Sequence, residues 1–425
     1  MYTEFMKLNM NNLFFPAETG HASSLRIKLF YTFAGSNHNV PLMIIALLII
    51  TLLFILPDLY ISLALMRGAA WWAHLLLWLP SIVAFVILLS VRFSGLGAVK
   101  MQLFIGLLLC IALPQLLFSV FSILGKLIGM AWHPAANIGN VTGLCLASVL
   151  ALTMLYGVIF GWKQLTVKQV ELSFPTLPAE FDGYKIVHLS DLHIGTHGQQ
   201  TAFLEKMVQR VNEQQADLIV FTGDLVNTSA DELKPFETIL SQLQAPDGVI
   251  SVLGNHDYCL YGMKERPADP RDGAKQLVQN EKQMGWNLLL NEHRMIQHNG
   301  AQIAIIGVEN TGKPPFPEIG DLKAAMAGVP DSVFTILLSH DPSHWRMEVL
   351  PNTHIPLTLS GHTHAAQVKI GRWSPVQWLY TEWSGLYTEG EQHLFVSEGV
   401  GGTIPFRLGA QPEIVVFTLR KGIMH

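Results

Sequence analysis

The chain has 425 residues, of which 50% are hydrophobic and only 14% charged, and its formal net charge is −5. Soluble domains carry about a quarter charged residues, so a wholly water-soluble chain is excluded, and the length calls for two or more domains. No basic run stands out, so no nucleic-acid partner is expected.

The shortage of charge is local. Between Val40 and Trp162 charged residues are scarce, whereas Lys163 to His425 has an ordinary globular composition. Four apolar segments occupy the N-terminal region: Pro41–Met66, Ala70–Val91, Met101–Met130 and Val141–Trp162. Each supplies the ~20 residues that carry a helix across ~30 Å of hydrocarbon. The first begins too late, and too many follow it, for a cleaved signal peptide. Trp71, Trp72, Trp78, Trp132 and Trp162 fall mostly near segment ends, where interfacial indoles are favoured. One flank carries Lys7, Arg26, Lys28, Arg92, Lys100, Lys163 and Lys168, and the other only Arg67 and Lys126. That bias predicts a multi-pass protein with both ends in the cytoplasm. The ionisable residues Asp58, His74 and Lys126 all read as lying near segment ends, so the four helices are expected to be an anchor, with a small transport bundle as the alternative. Cys110, Cys145 and Cys259 lie far apart, and no disulfide framework is expected.

A single pattern recurs through the C-terminal region. A short apolar, β-branched run ends in a small residue and then in Asp, Asn or His. YKIVHLS leads to Asp191-Leu192-His193, ADLIVFTG to Asp224, and GVISVLG to Asn255-His256-Asp257. SVFTILLS leads to His340-Asp341, and IPLTLSG to His362-Thr363-His364. Such runs predict buried strands, with a helix over Gln199–Gln214 between the first two. In α/β sheets, ligand-binding groups gather beyond the carboxyl ends of strands, so the five clusters can meet on one rim. Asp191, Asp224, Asn255, His193, His340, His362 and His364 among them offer two aspartates, one asparagine and four histidines, with no cysteine. Mixed oxygen and imidazole donors suit Mn, Fe, Zn or Co. Seven donors exceed one tetrahedral site and suit two divalent metals that share a carboxylate, the arrangement that clamps a phosphoryl group.

These motifs, SDLH, TGDLVN, GNHDY, SHDP and SGHTH, stand in the order of the calcineurin-like metallophosphoesterase family and resemble it from Val167 to the C-terminus. The ending GLYTEG…LFVSEGVGGTIPFRLGAQPEIVVFTL looks like that of its membrane-anchored bacterial branch. The resemblance implies a four-helix transmembrane bundle over residues 1–165. An α/β metallophosphoesterase domain over 166–425, a two-sheet β-sandwich flanked by helices, would follow it. It also implies a ligand set. Asp191, His193 and His364 would bind one metal, Asn255, His340 and His362 the other, and Asp224 would bridge them. His256 would contact the phosphate and assist the leaving oxygen, with its ring held by Asp257, and a metal-bridging hydroxide would attack. One departure stands out: the family often has GHTHGGQ where this chain has Ala365-Ala366-Gln367, which predicts a modest narrowing near the site.

Selectivity is expected from three loops: Tyr258–Leu288, TGKPPFPEIGDL (Thr311–Leu322) and the tryptophan-rich GRWSPVQWLYTEWSGLY (Gly371–Tyr387). His197 is expected to face water, with reach to the substrate as the alternative, and Cys259 to pack, with lining of the pocket as the alternative; His188, His293, His298, His344 and His354 read as strand or surface residues. The anchor favours a substrate already in the bilayer. The expectation is a phosphohydrolase of a bacterial inner membrane that faces the cytoplasm. It would cleave a phosphodiester or pyrophosphate in a lipid-linked substrate, such as a UDP-diacylglucosamine-type precursor or a phospholipid. The alternative is a catalytically silent, esterase-like scaffold or regulatory domain on a transport bundle.

Overall fold

The computed structural model describes residues 48, 50–94, 98–263, 267–313 and 316–422. A π-turn at Thr51–Ile55 runs into an α-helix at Leu56–Ala64, together α1. Helix α2 is Trp71–Ser94. Helix α3 comprises Ala98–Leu107, a π-turn at Leu108–Ala112 and Leu113–Gly129, and α4 is Pro134–Ile159. Among the described residues, three stretches are long and apolar enough to cross a membrane: Trp71–Ser90, Val99–Gly129 and Pro134–Lys163. Helix α1 is shorter, and the predicted first segment extends outside the described residues, as do Lys7, Arg26 and Lys28.

Each π-turn stops just short of a proline, Pro57 in α1 and Pro114 in α3. Proline removes one donor from the helical ladder, and a widened turn is one way for the backbone to re-register. Helices α3 and α4 cross where Gly125 faces Gly139, and a Cβ on either would run into the other's backbone. Small residues at such a crossing let two helices approach closely in lipid, where no hydrophobic drive separates helix from solvent.

A 3-10 turn at Gly161–Lys163 leads from α4 into the second domain. Its strands are β1 Thr166–Phe174, β2 Lys185–Leu189, β3 Leu218–Phe221, β4 Val249–Ser251, β5 Asn287–Leu288 and β6 Glu292–His298. They continue with β7 Ala301–Gly307, β8 Phe334–Leu338, β9 Leu357–Ser360, β10 Gly385–Glu389, β11 Gln392–Val396 and β12 Glu413–Lys421. One sheet has the order β1-β12-β2-β3-β4-β5, and the other β10-β11-β9-β8-β7-β6. The last strand lies parallel to the first, Thr166 opposite Glu413, so the end of the domain closes on its beginning.

The two sheets face each other over a core that includes Ile186, Val220, Ile250, Ile305, Leu338, Leu359 and Phe417. Buried on both faces, these strands read as continuous apolar runs. Helices α5 (Ala202–Asn212) and α6 (Arg271–Gln283) bury Leu204, Met207 and Leu277 in the core layer outside the first sheet. Trp345 and Val349 anchor a smaller layer outside the second. The strands β2, β3 and β4 run parallel, as do β8 and β9, so the polar clusters that follow them leave in a common direction within each sheet.

Candidate metal centre

The turns after these strands bring the clusters together. Donor atoms of Asp191, His193, Asp224 and His364 all lie within 4.8 Å of one another, as do those of Asp224, His340 and His362. Asp224 belongs to both groups: its Oδ2 is 3.4 Å from His193 Nε2 and 3.2 Å from His340 Nε2. His364 Nε2 lies 3.2 Å from both Asp191 Oδ1 and His193 Nε2. Asn255 Oδ1 lies 2.9 Å from His362 Nδ1 and 3.2 Å from His340 Nε2, while its Nδ2 donates to Tyr261. That amide orientation turns the oxygen toward the imidazoles.

Backbone geometry concentrates these groups. Asp191, His193, Asp224, His362 and His364 all have positive φ, between 43° and 73°. Such conformations are costly for side-chain-bearing residues and mark sites where the surrounding structure holds them. The small residues before the motifs follow from crowding: a Cβ at Gly254 would strike the Asp224 carboxylate, and one at Gly361 would strike Ser190 and Asp191. At Ala365 and Ala366 φ is 49° in both cases. Ala365 and Ala366 thus stand in left-handed backbone, where glycine would sit without strain. Ser374 helps to hold it by donating to the Ala365 carbonyl at 2.7 Å.

The chemistry of the pocket tests whether a metal fits. His340 Nδ1 is bonded to the Thr222 carbonyl at 2.8 Å, which leaves Nε2 as its inward atom. Burial opposes charge on His340, but Asp224 and Asp191 outweigh it and push its pKa up to about 10. Burial likewise opposes the charge of Asp224, and His340 and His256 overcome it, holding the carboxyl well below the usual range. The pocket thus demands positive charge among buried carboxylates and imidazoles, a demand that divalent metals fit.

His256 stands edge-on to His193, with ring centroids 4.7 Å apart. Its Nδ1 bonds the Asn227 carbonyl at 2.7 Å, and burial lowers its pKa to about 4. Asp257 departs from its expected role of holding that ring. Its carboxylate instead accepts four backbone N–H groups, from Asp224, Leu225, Val226 and Gly254. The tight GNHD turn folds it beneath the Asp224 loop, so it braces the shared carboxylate and leaves the imidazole to Asn227.

Several contributors carry no motif. Tyr380, from the tryptophan-rich loop, meets His362 Nε2 at 2.8 Å, and Phe316, from the TGKPPFPEIGDL loop, stands perpendicular to the same ring at 4.7 Å. Arg407 is fully buried and donates to the carbonyls of Glu398, Gly399, Gly401 and Ala410. The loop it braces bonds back to Ser190 and Asp191 through Val400 and Gly401. His197 is buried between Trp162 and Phe203, and its neighbour Thr196 accepts a hydrogen bond from Gln102 of α3 at 2.8 Å. A lone Arg in a loop or a His beside a motif gives no signal of these partners in sequence. His188 is a buried strand residue bonded to Thr222.

The family described as "Calcineurin-like phosphoesterase" matches residues 184–366, and "Probable Calcineurin-like phosphoesterase, transmembrane domain" matches 42–162. "Uncharacterized metallophosphoesterase YkuE" of Bacillus subtilis is 32% identical over 258 residues, covering 58% of this chain and 82% of that protein. The chain belongs to the calcineurin-like phosphoesterase family. A "Transmembrane protein with metallophosphoesterase domain" of Danio rerio is 28% identical to this phosphoesterase over 320 residues, 72% of this chain and 69% of that one. "Uncharacterized metallophosphoesterase Cj0846" of Campylobacter jejuni is 29% identical, covering 64% and 68%. The chain is thus a membrane-anchored metallophosphoesterase with a buried His/Asp cluster suited to divalent metal.

Proposed function

We propose that this metallophosphoesterase cleaves a phosphodiester or pyrophosphate bond in a lipid-linked substrate, at the cytoplasmic face of a bacterial inner membrane. The observation that carries the reading is the seat of the site on the membrane helices. Thr196, three residues past His193, accepts from Gln102 of α3, and His197 packs on Trp162 at the end of α4. Three residues span at most ~10 Å, so the cluster lies close to where the helices end. On the same side, Leu408 pairs with Val368, and Phe406 and Arg407 pack on Gly157 of α4. The adjoining turn exposes Ile370 (64%) and Trp378 (66%), the kind of side chains that enter a bilayer interface.

In this reading Asp191, His193 and His364 hold one divalent metal and Asn255, His340 and His362 a second, with Asp224 shared; the donor set favours Mn, Fe or Zn. Metals bound there would supply Lewis acidity toward a phosphoryl oxygen and a water of lowered pKa. The protein's own residues do the rest. Asp257 accepts from the Asp224 backbone N–H and the His256 N–H donates to the Asp224 carboxylate, which together fix the shared residue. Asn227 accepts from His256 Nδ1 and so leaves Nε2 facing the phosphate, whose negative charge would favour protonation there; the Nε2–H so formed would stabilise the leaving oxygen or pass its proton to it. Tyr380 and Phe316 bound the pocket beside His362.

The full chain in nanodiscs should hydrolyse an aryl phosphodiester only with added divalent metal such as Mn²⁺, and should turn over a phospholipid or lipid-linked pyrophosphate in the same disc. Asp224→Asn should weaken metal binding by more than the roughly 10–100-fold that outer ligand partners are worth. His256→Gln should keep its metal and lose about 10²–10⁴ in rate. Full turnover by His256→Gln, or preference for a soluble ester over every lipid, would count against the reading. A C-terminal reporter that matures outside the cytoplasm would overturn the sidedness.

A further inference from the structure

The membrane bundle is not sealed with apolar side chains. Asp58 is the only Asp or Glu between residues 41 and 162, and it is completely buried. Ser81 of α2 donates to its Oδ2 at 2.5 Å, and the Gln115 side chain of α3 stands beside the carboxyl. Among the described residues its other oxygen, Oδ1, has no partner, and neither does the buried hydroxyl of Ser119, one turn beyond Gln115. The sequence places Asp58 near a segment end, but its partners set its depth. Ser81 lies in the middle of Trp71–Ser94 and Gln115 in the middle of Val99–Gly129, so the carboxylate sits near mid-bundle.

All three residues directly follow a proline: Pro57-Asp58, Pro80-Ser81 and Pro114-Gln115. Prolines loosen the helical ladder on three helices at one level, and π-turns precede two of them. Interrupted helices that meet around a polar group at the bilayer midplane are the recurrent construction of intramembrane ion sites. An unpaired carboxylate oxygen in hydrocarbon costs several kcal/mol, on the order of any unsatisfied polar group there. A cation on that oxygen removes the cost. Because, among the described residues, a single carboxylate supplies the negative charge at this level, the cation it balances is monovalent. Carboxylate, hydroxyl and amide oxygens select a hard one.

We propose that Asp58, Ser81 and Gln115 form a binding site for a small monovalent cation, a sodium ion or a proton, at mid-depth of the membrane bundle. Other titratable groups on the packed helices are Tyr60 and Lys126, which face each other at 5.0 Å, His74, bonded to Ser62, Cys110 on α3, and Arg92 and Lys100 toward the opposite ends. Tyr60 also bonds Ser122, which bonds Asn140 of α4, so a second set of polar contacts joins α1, α3 and α4 beside Lys126. The site belongs to the membrane domain and stands whether or not the catalytic substrate is a lipid.

The test is the unfolding midpoint of the full chain in nanodiscs, read by tryptophan fluorescence in sodium or choline chloride at matched ionic strength across pH 6–8.5. The parent protein should gain roughly 3 °C more than Asp58→Asn from sodium, or from falling pH in choline, any gain common to the two proteins belonging to other groups. A sodium-dependent gain assigns sodium, and a gain with pH alone assigns the proton. Should Asp58→Asn not fold, Ser81→Ala serves: it should move the sodium or proton concentration needed by about tenfold. A parent midpoint indifferent to both cations, or a dependence that the variants retain in full, overturns the site.

Discussion

Five of the seven proposed ligands, together with Ala365 and Ala366, hold left-handed backbone conformations. Each costs about 1–2 kcal/mol for a residue with a Cβ. At the ligands the strain accompanies function, since turning the chain back at a strand end is what aims two side chains of one short motif into the cluster. At the alanines no such return is visible, and Ala366 is exposed. Glycine takes positive φ without strain. Ala366→Gly should therefore raise stability by about 1 kcal/mol and leave metal content and turnover unchanged, measured as thermal unfolding beside a metal assay. A lowered midpoint would mean that the chain entropy glycine adds to the unfolded state outweighs the strain removed.

At the scale of elements, the five strand ends were legible because their signal is local: an apolar run, a small residue, then a ligand type. Helix α5 was legible for the same reason, as Ala202–Asn212 within the expected Gln199–Gln214. What could not be read is where bonds reach across the chain. Asp257 turns from its neighbour His256 to amides of the Asp224 loop, Arg407 braces the turn after Asp191, and the depth of Asp58 depends on partners from two other helices. Helix α6 hides a further example. Its Glu281 is fully buried and accepts from Ser251 of β4, and its second oxygen has no partner among the described residues. Burial, with Asp257 adding to it, pushes its pKa from 4.5 up to about 8. The folded form thus keeps a proton that the unfolded chain loses. The stability linked to Glu281 is fully present below pH 4.5 and disappears as pH rises toward 8. Glu281→Gln removes that titration, so its stability relative to the parent should grow between pH 5 and pH 8, by on the order of 2–4 kcal/mol. Parallel pH profiles for the two proteins would contradict a buried, protonated Glu281.

For the whole molecule, the question is how the bundle and the esterase act on each other. Among the described residues, two connections join them beyond the peptide chain: Gln102 and Trp162 hold the Thr196-His197 turn, and α4 packs on Phe406 and Arg407. Arg407 is the hub of the second connection. Its backbone N–H donates to the Gly157 carbonyl at 3.3 Å, while its guanidinium holds the loop that bonds to Asp191. This second contact between membrane helix and metal cluster therefore passes through one buried side chain and two short loops. Gly157 is the weak point, because a Cβ there would enter the Phe406 ring and crowd the Arg407 carbonyl. Gly157→Val should cost about 1–3 kcal/mol, as overpacking generally does, and tilt the esterase on its anchor. Misplacement matters most for a substrate fixed in the bilayer, since a soluble ester can follow the site wherever it moves. Turnover of a lipid in nanodiscs should therefore fall further than turnover of a water-soluble aryl phosphodiester. An equal fall for both would mean that the valine acts through Arg407 on Asp191, and that the anchor has no role in presenting the substrate.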